Sequence, residues 1–439
     1  MTKFKKLKSK LDLNDAGILL GSTILVNAGN YLLNLLLGRI LGPDVFAEVS
    51  VLATAFLLLS FIAVGFQMVA AKFAAECFAT DDLESHQGFA QWFTTKIRWI
   101  SLVIVAILMM SLIMIRDFLH FESAWPLFII ILGIPFYLEM SVNRGLLQGR
   151  NRFKKLAWTY LVEMASRVVV TFGVLFLTLS KNWDLASEIV AFGFLASFLG
   201  SFWISRDIAQ SAQSVNHFGK KKAAISFLLI FCAYEFSQIL ISHSDVILVK
   251  HYFGNHEAGL YASLALLGRM VFFGTWAIVT LLFPKVIQLE KKGLPHKGLF
   301  LKSLGLVALV GVFMILNCVI FPDLIISLMY GSAYQVISPL AWRYAFATTL
   351  FALANVYAYY YLSLEKYLPV ALSTTAGVAQ ILLVTRFHQS LESVIDVQIM
   401  TMGCLLLAMI VFQISNSADF FAGIRDRLFS ITKPLAKTV

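Results

Sequence analysis

Two sets of polar side chains recur at helical spacing inside segments that are otherwise apolar. Thr23, Asn27, Asn30 and Asn34 fall at i, i+4, i+7 and i+11; Glu235, Gln238, Ser242 and Asp245 fall at i, i+3, i+7 and i+10. Each spacing places its four groups on one helix face. Carboxamides can both donate and accept hydrogen bonds. Carboxyl groups held away from water can take up a proton or a cation. Tyr160, Glu163, Arg167 and Thr171 share a further face, Glu139 stands four residues before Asn143, and Arg269 lies about eleven residues into an apolar run. Arg39 and Arg343 stand at the ends of such runs, where they can address a ligand or simply reach headgroups. Glu163 and Arg167, four residues apart, can also neutralise each other.

These groups need elements to hold them, and the composition says which. Of 439 residues, 59% are hydrophobic and 14% charged, with a mean hydropathy of +0.80. An ordinary soluble domain carries roughly 25% charged residues, and a water-soluble fold could not hide this much apolar surface. A bilayer core about 30 Å thick takes helices of about 20 apolar residues. Charge-free runs occupy 16–38, 49–71, 99–115, 303–322, 344–364, 367–385 and 397–418, with less clean windows near 123–147, 157–179, 187–205, 223–250 and 258–284. The expectation is an all-α polytopic membrane protein of about twelve spanning helices. The segments do not alternate, which excludes a barrel. A polar or ionisable group inside such a helix is costly and so a functional candidate; the alternative is a hydrogen bond to a neighbouring helix.

Charge is distributed along the chain with a clear bias. The net charge is +10, but the basic residues cluster in one alternate set of loops: Arg150, Arg152, Lys154 and Lys155, then Lys220 to Lys222, then Lys285, Lys291, Lys292 and Lys297. That asymmetry places both termini in the cytoplasm and argues for a membrane, not nucleic acid. Residues 1–15 read as a basic amphipathic segment lying on the inner leaflet, retained and not cleaved. The chain also repeats. Gly38 to Ser50 matches Lys250 to Ser263, Lys72 matches Lys285, and Gln148 to Phe153 matches Leu362 to Tyr367. The expected domains are a six-helix bundle over 16–210, a cytoplasmic linker over 211–222, a second six-helix bundle over 223–415 and a cytoplasmic tail over 416–439. Parallel repeats of this kind place the substrate site between the halves.

No phosphate-binding glycine loop, metal-spaced histidine pair or nucleophile elbow occurs. The four cysteines, Cys77, Cys232, Cys318 and Cys404, have no redox or metal spacing. The tyrosines at 357, 359, 360 and 361 read as an interfacial belt or, alternatively, as a platform for sugar rings. An enzyme, a cofactor and a metal are not expected.

Three stretches carry a family resemblance. Arg39 to Phe46 reads Arg-Ile-Leu-Gly-Pro-Asp-Val-Phe. Gly145 to Phe153 reads Gly-Leu-Leu-Gln-Gly-Arg-Asn-Arg-Phe and is followed by Glu163 and Arg167. Phe253 to Tyr261 reads Phe-Gly-Asn-His-Glu-Ala-Gly-Leu-Tyr. In order and over nearly the whole chain, they resemble the O-antigen or capsule repeat-unit flippases of the multidrug/oligosaccharidyl-lipid/polysaccharide exporter superfamily. The resemblance implies two pseudo-symmetric bundles working by alternating access around a cationic cavity in the bacterial inner membrane. It implies an undecaprenyl-pyrophosphate-linked oligosaccharide as substrate, with membrane lipids and the polymerase or chain-length proteins of the same pathway as partners. Asn27, Asn30, Asn34, Arg39, Arg269, Arg343, Gln238 and Ser242 are the expected substrate contacts. Asp245, Glu235, Glu163 and Glu139 are the expected positions for a coupling H+ or Na+. No deep arginine is evident in the second span to match Arg269. Three rival readings stand beside this one: a drug/cation antiporter of the same fold, a cell-wall precursor flippase (whose close relatives usually have fourteen spans), and a membrane-embedded enzyme of polysaccharide assembly.

Overall fold

A computed structural model describes residues 2–79, 83–177, 185–206, 219, 221–291, 294–364 and 366–431. Most of the expected linker, including 211–218 and Lys220, lies outside the described residues, as do 432–439. Side chains are described from Ile18 onward, with gaps in the seventh and eighth helices and none past Ser415.

Among the described residues the structure is helical, without strands. The elements are α1 (Thr2–Ala79), α2 (Leu83–Met110), α3 (Leu112–Phe118), α4 (Trp125–Gly149), α5 (Phe153–Leu177), α6 (Ala186–Ser205), α7 (Lys221–Tyr252), α8 (Asn255–Lys291), α9 (Lys297–Ile320), α10 (Pro322–Tyr330), a 3-10 helix (Ser332–Leu340), α11 (Ala341–Ser363), α12 (Leu368–Arg386) and α13 (Leu391–Ile431). Nine helices among the described residues are long and apolar enough to cross a bilayer. The first of these, Gly21–Cys77, has 57 residues, about 85 Å at 1.5 Å per residue. That is two passes, and the chain breaks between them at Gly42 (φ 75°, ψ 171°), followed by Pro43. The φ/ψ combination is open essentially to glycine alone, and the proline removes a backbone donor on the far side of the break. With α7 (32 residues) and α8 (37 residues), the passes reach the expected twelve. The run read as one span over 99–115 ends earlier, at Met110, and α3 restarts at Leu112. The tail expected from 416 begins as a continuation of α13, through Ile431.

Two compact units emerge: Met1–Leu266 with Asp323–Ser338, and Leu267–Pro322 with Pro339–Val439. These limits differ from the expected 16–210 and 223–415. The reason is local: α7 packs along α1, and its last turn is tied to the segment after α3. There Lys250, buried, donates from Nζ to His120 O at 3.3 Å and to Asn255 Oδ1.

In the first unit α1 is the common wall, packed against α4, α5, α6 and α7. Its second limb meets α4 at unusually close range. A Cβ on Gly145 would stand 2.3 Å from Gln67 O, and one on Gly149 2.7 Å from Ala71 O. Glycines four residues apart facing alanines permit this approach, and dispersion and close backbone contact then hold the helices where lipid gives no hydrophobic drive. In the second unit α11 packs against α9, α12 and α13. Tyr357, Tyr360 and Tyr361 are buried there, around Phe300 and Phe412. They therefore form neither a belt facing the headgroups nor an open platform for sugars.

Candidate functional site

Three ionisable side chains meet inside the first unit. Glu163 of α5 accepts from Arg144 of α4 (Nη1 to Oε2, 2.7 Å) and from Arg167 of its own helix (Nη2 to Oε1, 3.0 Å). All three are buried. Arg144 also donates from Nε to Thr159 Oγ1 (2.9 Å) and from Nη2 to Thr159 O (2.8 Å), with its guanidinium 4.1 Å from the Tyr160 ring centre. Arg167 lies between Phe56 and Phe194, 4.1 and 4.6 Å from their ring centres. It reaches Asn30 Oδ1 on α1 with Nη1 at 3.1 Å and Ser197 Oγ on α6 at 3.4 Å.

The charges do not cancel. Two guanidiniums share one carboxylate, so the cluster carries one surplus positive charge in a poorly hydrated place. Aromatic faces temper that cost through their quadrupoles, and the hydrogen bonds satisfy most donors. Arg167 Nε and the Thr171 hydroxyl remain buried without a hydrogen-bond partner among the described residues. Around the cluster, Gln67 Nε2 donates to Gln148 Oε1 (2.9 Å) and to the Tyr160 hydroxyl (2.8 Å), and Tyr137 meets Ser60 at 2.8 Å.

The residues singled out from sequence are distributed as follows. On α1, Asn27 is exposed; Asn30 and Asn34 are half-buried, with Asn34 Nδ2 donating to Asn30 O at 2.8 Å. Arg39 Nη1 donates to Leu328 O near the end of α10 at 2.6 Å. On α7, Gln238 is buried with neither amide atom hydrogen-bonded among the described residues. Ser242 is half-buried, and Asp245, buried, accepts from the Tyr261 hydroxyl at 2.9 Å. The Glu235 side chain lies outside those described. Glu139 accepts two bonds from Arg98 (Nε to Oε2, 2.7 Å; Nη2 to Oε1, 2.5 Å). In the second unit Arg269 is half-buried on α8, and Arg343 pairs with Asp396. Asn30, Glu163 and Arg167 are thus brought together, whereas Glu139 belongs to a separate ion pair.

Comparison with known proteins bears on this arrangement. Residues 13–290 match the family model described as "Polysaccharide biosynthesis protein". The chain belongs to this family. A polysaccharide biosynthesis family member with this helix order has a fold known from solved transporters. Lipid II flippase MurJ in an inward closed conformation superposes with a TM-score of 0.73 at 15% identity, covering 90% of this chain and 87% of that one. An inward-facing multidrug resistance MATE family transporter of the MOP superfamily superposes at 0.72 and 12% identity, covering 95% and 100%. A MOP superfamily transporter from Pyrococcus furiosus superposes at 0.59 and 13% identity, covering 91% and 93%. No curated protein matches. At these identities the likeness is one of fold. The fold is that of multi-pass membrane transporters and flippases.

In this family member the sequence reading missed Arg144. Arg144 falls inside the window expected as a span near 123–147 but has no acidic partner at helical spacing; in the structure α4 runs to Gly149 and Arg144 is buried. Also missed was a set of bonds at the Gly42 end of the first unit. Tyr334 of the 3-10 helix donates to Gly38 O at 2.8 Å, and Glu48 accepts from the Glu122 backbone N and from Ser187 Oγ, each at 2.8 Å. His251 stacks on Phe118 at 3.9 Å and donates from Nδ1 to its carbonyl at 2.6 Å. None of these pairings has a local spacing signal.

Proposed function

We propose that the protein is a flippase for a lipid-linked oligosaccharide, turning the polar head of an undecaprenyl-pyrophosphate repeat unit from the inner to the outer leaflet of the bacterial inner membrane. The product would feed O-antigen, capsule or exopolysaccharide assembly. The observation that carries this reading is the surplus positive charge of the Arg144–Glu163–Arg167 cluster, linked through Asn30 to the asparagine face of α1. A diphosphate needs cationic potential in a low-dielectric passage, and the sugars need amides. Family membership supports the same reading. The charge balance disfavours a cationic drug as cargo, since such a substrate would be repelled.

In this reading the two halves work by alternating access, with the lipid tail remaining in the bilayer. Both termini face the cytoplasm, and the Gly42 end, with Arg39, Tyr334 and Lys250, faces out. Gln238 and Ser242 of the first unit, and Arg269 and Arg343 of the second, are further proposed substrate contacts. A coupling H+ or Na+ is proposed at Asp245, Glu235, Glu163 or Glu139, of which Glu163 and Glu139 are ion-paired with arginines. Polymerase and chain-length proteins of the pathway are the proposed partners.

The test is leaflet-specific labelling of lipid-linked oligosaccharide in a strain lacking the gene. Precursor should accumulate in the inner leaflet, be cleared by the wild-type protein and stay trapped with Arg269→Ala. Equal surface polymer with and without the gene would reject the function; clearance by Arg269→Ala would reject only that residue.

A further inference from the structure

Asn30 sits where the dry cluster meets the polar face of α1. It is half-buried, and the contact that fixes it is the 3.1 Å bond from Arg167 Nη1 to its side-chain oxygen. A guanidinium has five donors and no acceptor. The atom of Asn30 facing Arg167 must therefore be the carbonyl oxygen, because the reversed amide would set N–H against N–H. The carboxamide is held in one orientation, and its Nδ2 has no partner among the described residues. Its two N–H groups are presented as donors only. Arg167 is itself fixed: Glu163 holds Nη2 at 3.0 Å, Phe56 and Phe194 hold the guanidinium plane, and Arg144 supplies the second positive charge on Glu163.

We propose that Arg167 is a positioning residue that never touches the substrate: it locks Asn30 as a donor toward an oxyanion, and the surplus charge of the cluster reaches the ligand through that amide. The ligand class is a diphosphate on a lipid carrier. This rests on the flippase reading above and adds to it the group that meets the head. A sugar hydroxyl could accept the same bond, but it would gain nothing from the positive charge behind it.

The double-mutant cycle of Asn30→Leu and Arg167→Gln decides the matter. Asn30→Leu keeps nearly the same branched shape and removes both N–H donors without adding a charge. The purified full-length protein in phosphatidylcholine nanodiscs is titrated with undecaprenyl diphosphate and with undecaprenol, and the thermal midpoint is recorded for each variant. Losing one hydrogen bond to a charged group should weaken diphosphate binding about tenfold or more in either single variant, leave undecaprenol unchanged, and produce little further loss in the double variant. Arg167→Lys should recover part of the loss. Inorganic diphosphate should compete, weakly.

Multiplicative losses, or equal losses for diphosphate and alcohol, would make Arg167 merely structural and overturn the proposal. Displacement by phosphatidylglycerol alone would assign the site to bulk lipid and overturn it too. A wild-type protein that does not distinguish diphosphate from alcohol would sink the flippase reading itself, whereas discrimination retained in Asn30→Leu would sink only the positioning role. Should Asn30→Leu not fold, Asn30→Ala removes both donors and is read the same way.

Discussion

Glu163 is the residue on which the ion cluster turns, because it is the common partner of both arginines. Removing one arginine leaves a matched pair; removing the carboxylate leaves two buried cations facing each other. Breaking a buried ion pair from one side costs about 3–5 kcal/mol, so Glu163→Ala should fall at or beyond the top of that range and Arg144→Ala well below it. Thermal unfolding in one detergent checks the order; an equal loss in both would mean that water, not Glu163, neutralises the arginines. Sequence made half of this visible. The i, i+4 spacing of Glu163 and Arg167 announces a pair, and the asparagine stripe announces the face that Arg167 reaches. Arg144 carried no such spacing, since its partners Thr159 and Glu163 lie on another helix. Arg39 was readable as a charge at a helix end, but its partner, the Leu328 carbonyl, is 289 positions away.

Helices explain why the family-like stretches read as they do. Gly42 and Pro43 end one pass and begin another. Gly145 and Gly149 bring α4 against the second limb of α1, Gln148 bonds Gln67, and Gly259 lets the first turn of α8 lie against Pro43, whose oxygen is 1.7 Å from where a Cβ would be. The three motifs are therefore largely packing devices that fix where the polar faces stand. Gly145→Val should force α4 from α1 and lower the yield of folded protein, costing about 1–3 kcal/mol as overpacking does. Gly173→Ala, with open space at its Cβ position, should be neutral or stabilising by up to about 1 kcal/mol. Size-exclusion profiles and thermal midpoints separate the two; a tolerated Gly145→Val would show that the close contact is dispensable. The helices themselves were legible because a bilayer demands apolar runs of a set length, a strong local signal. The break at Met110 was not, since the sequence stays apolar through it.

Across the whole molecule, composition and charge asymmetry were enough to read a multi-pass membrane protein with about twelve helices, and the family match and the fold agree. The grouping of residues into units was not readable: 323–338 joins the first unit through contacts such as Tyr334 with Gly38, and such distant pairing leaves no trace in local pattern. The function proposed for the molecule makes one physical demand, that an anionic head on a lipid tail changes leaflet when this protein is present. Purified protein in liposomes carrying undecaprenyl-diphosphate-linked oligosaccharide, with an added glycosidase that cannot enter, measures that demand directly. Without protein, only the outer-leaflet pool should be cleaved; with it, the inner pool should become cleavable as well, and Arg167→Gln should slow the second phase. Cleavage that stops at the outer pool whether or not the protein is present, under every ion gradient applied, would contradict the account.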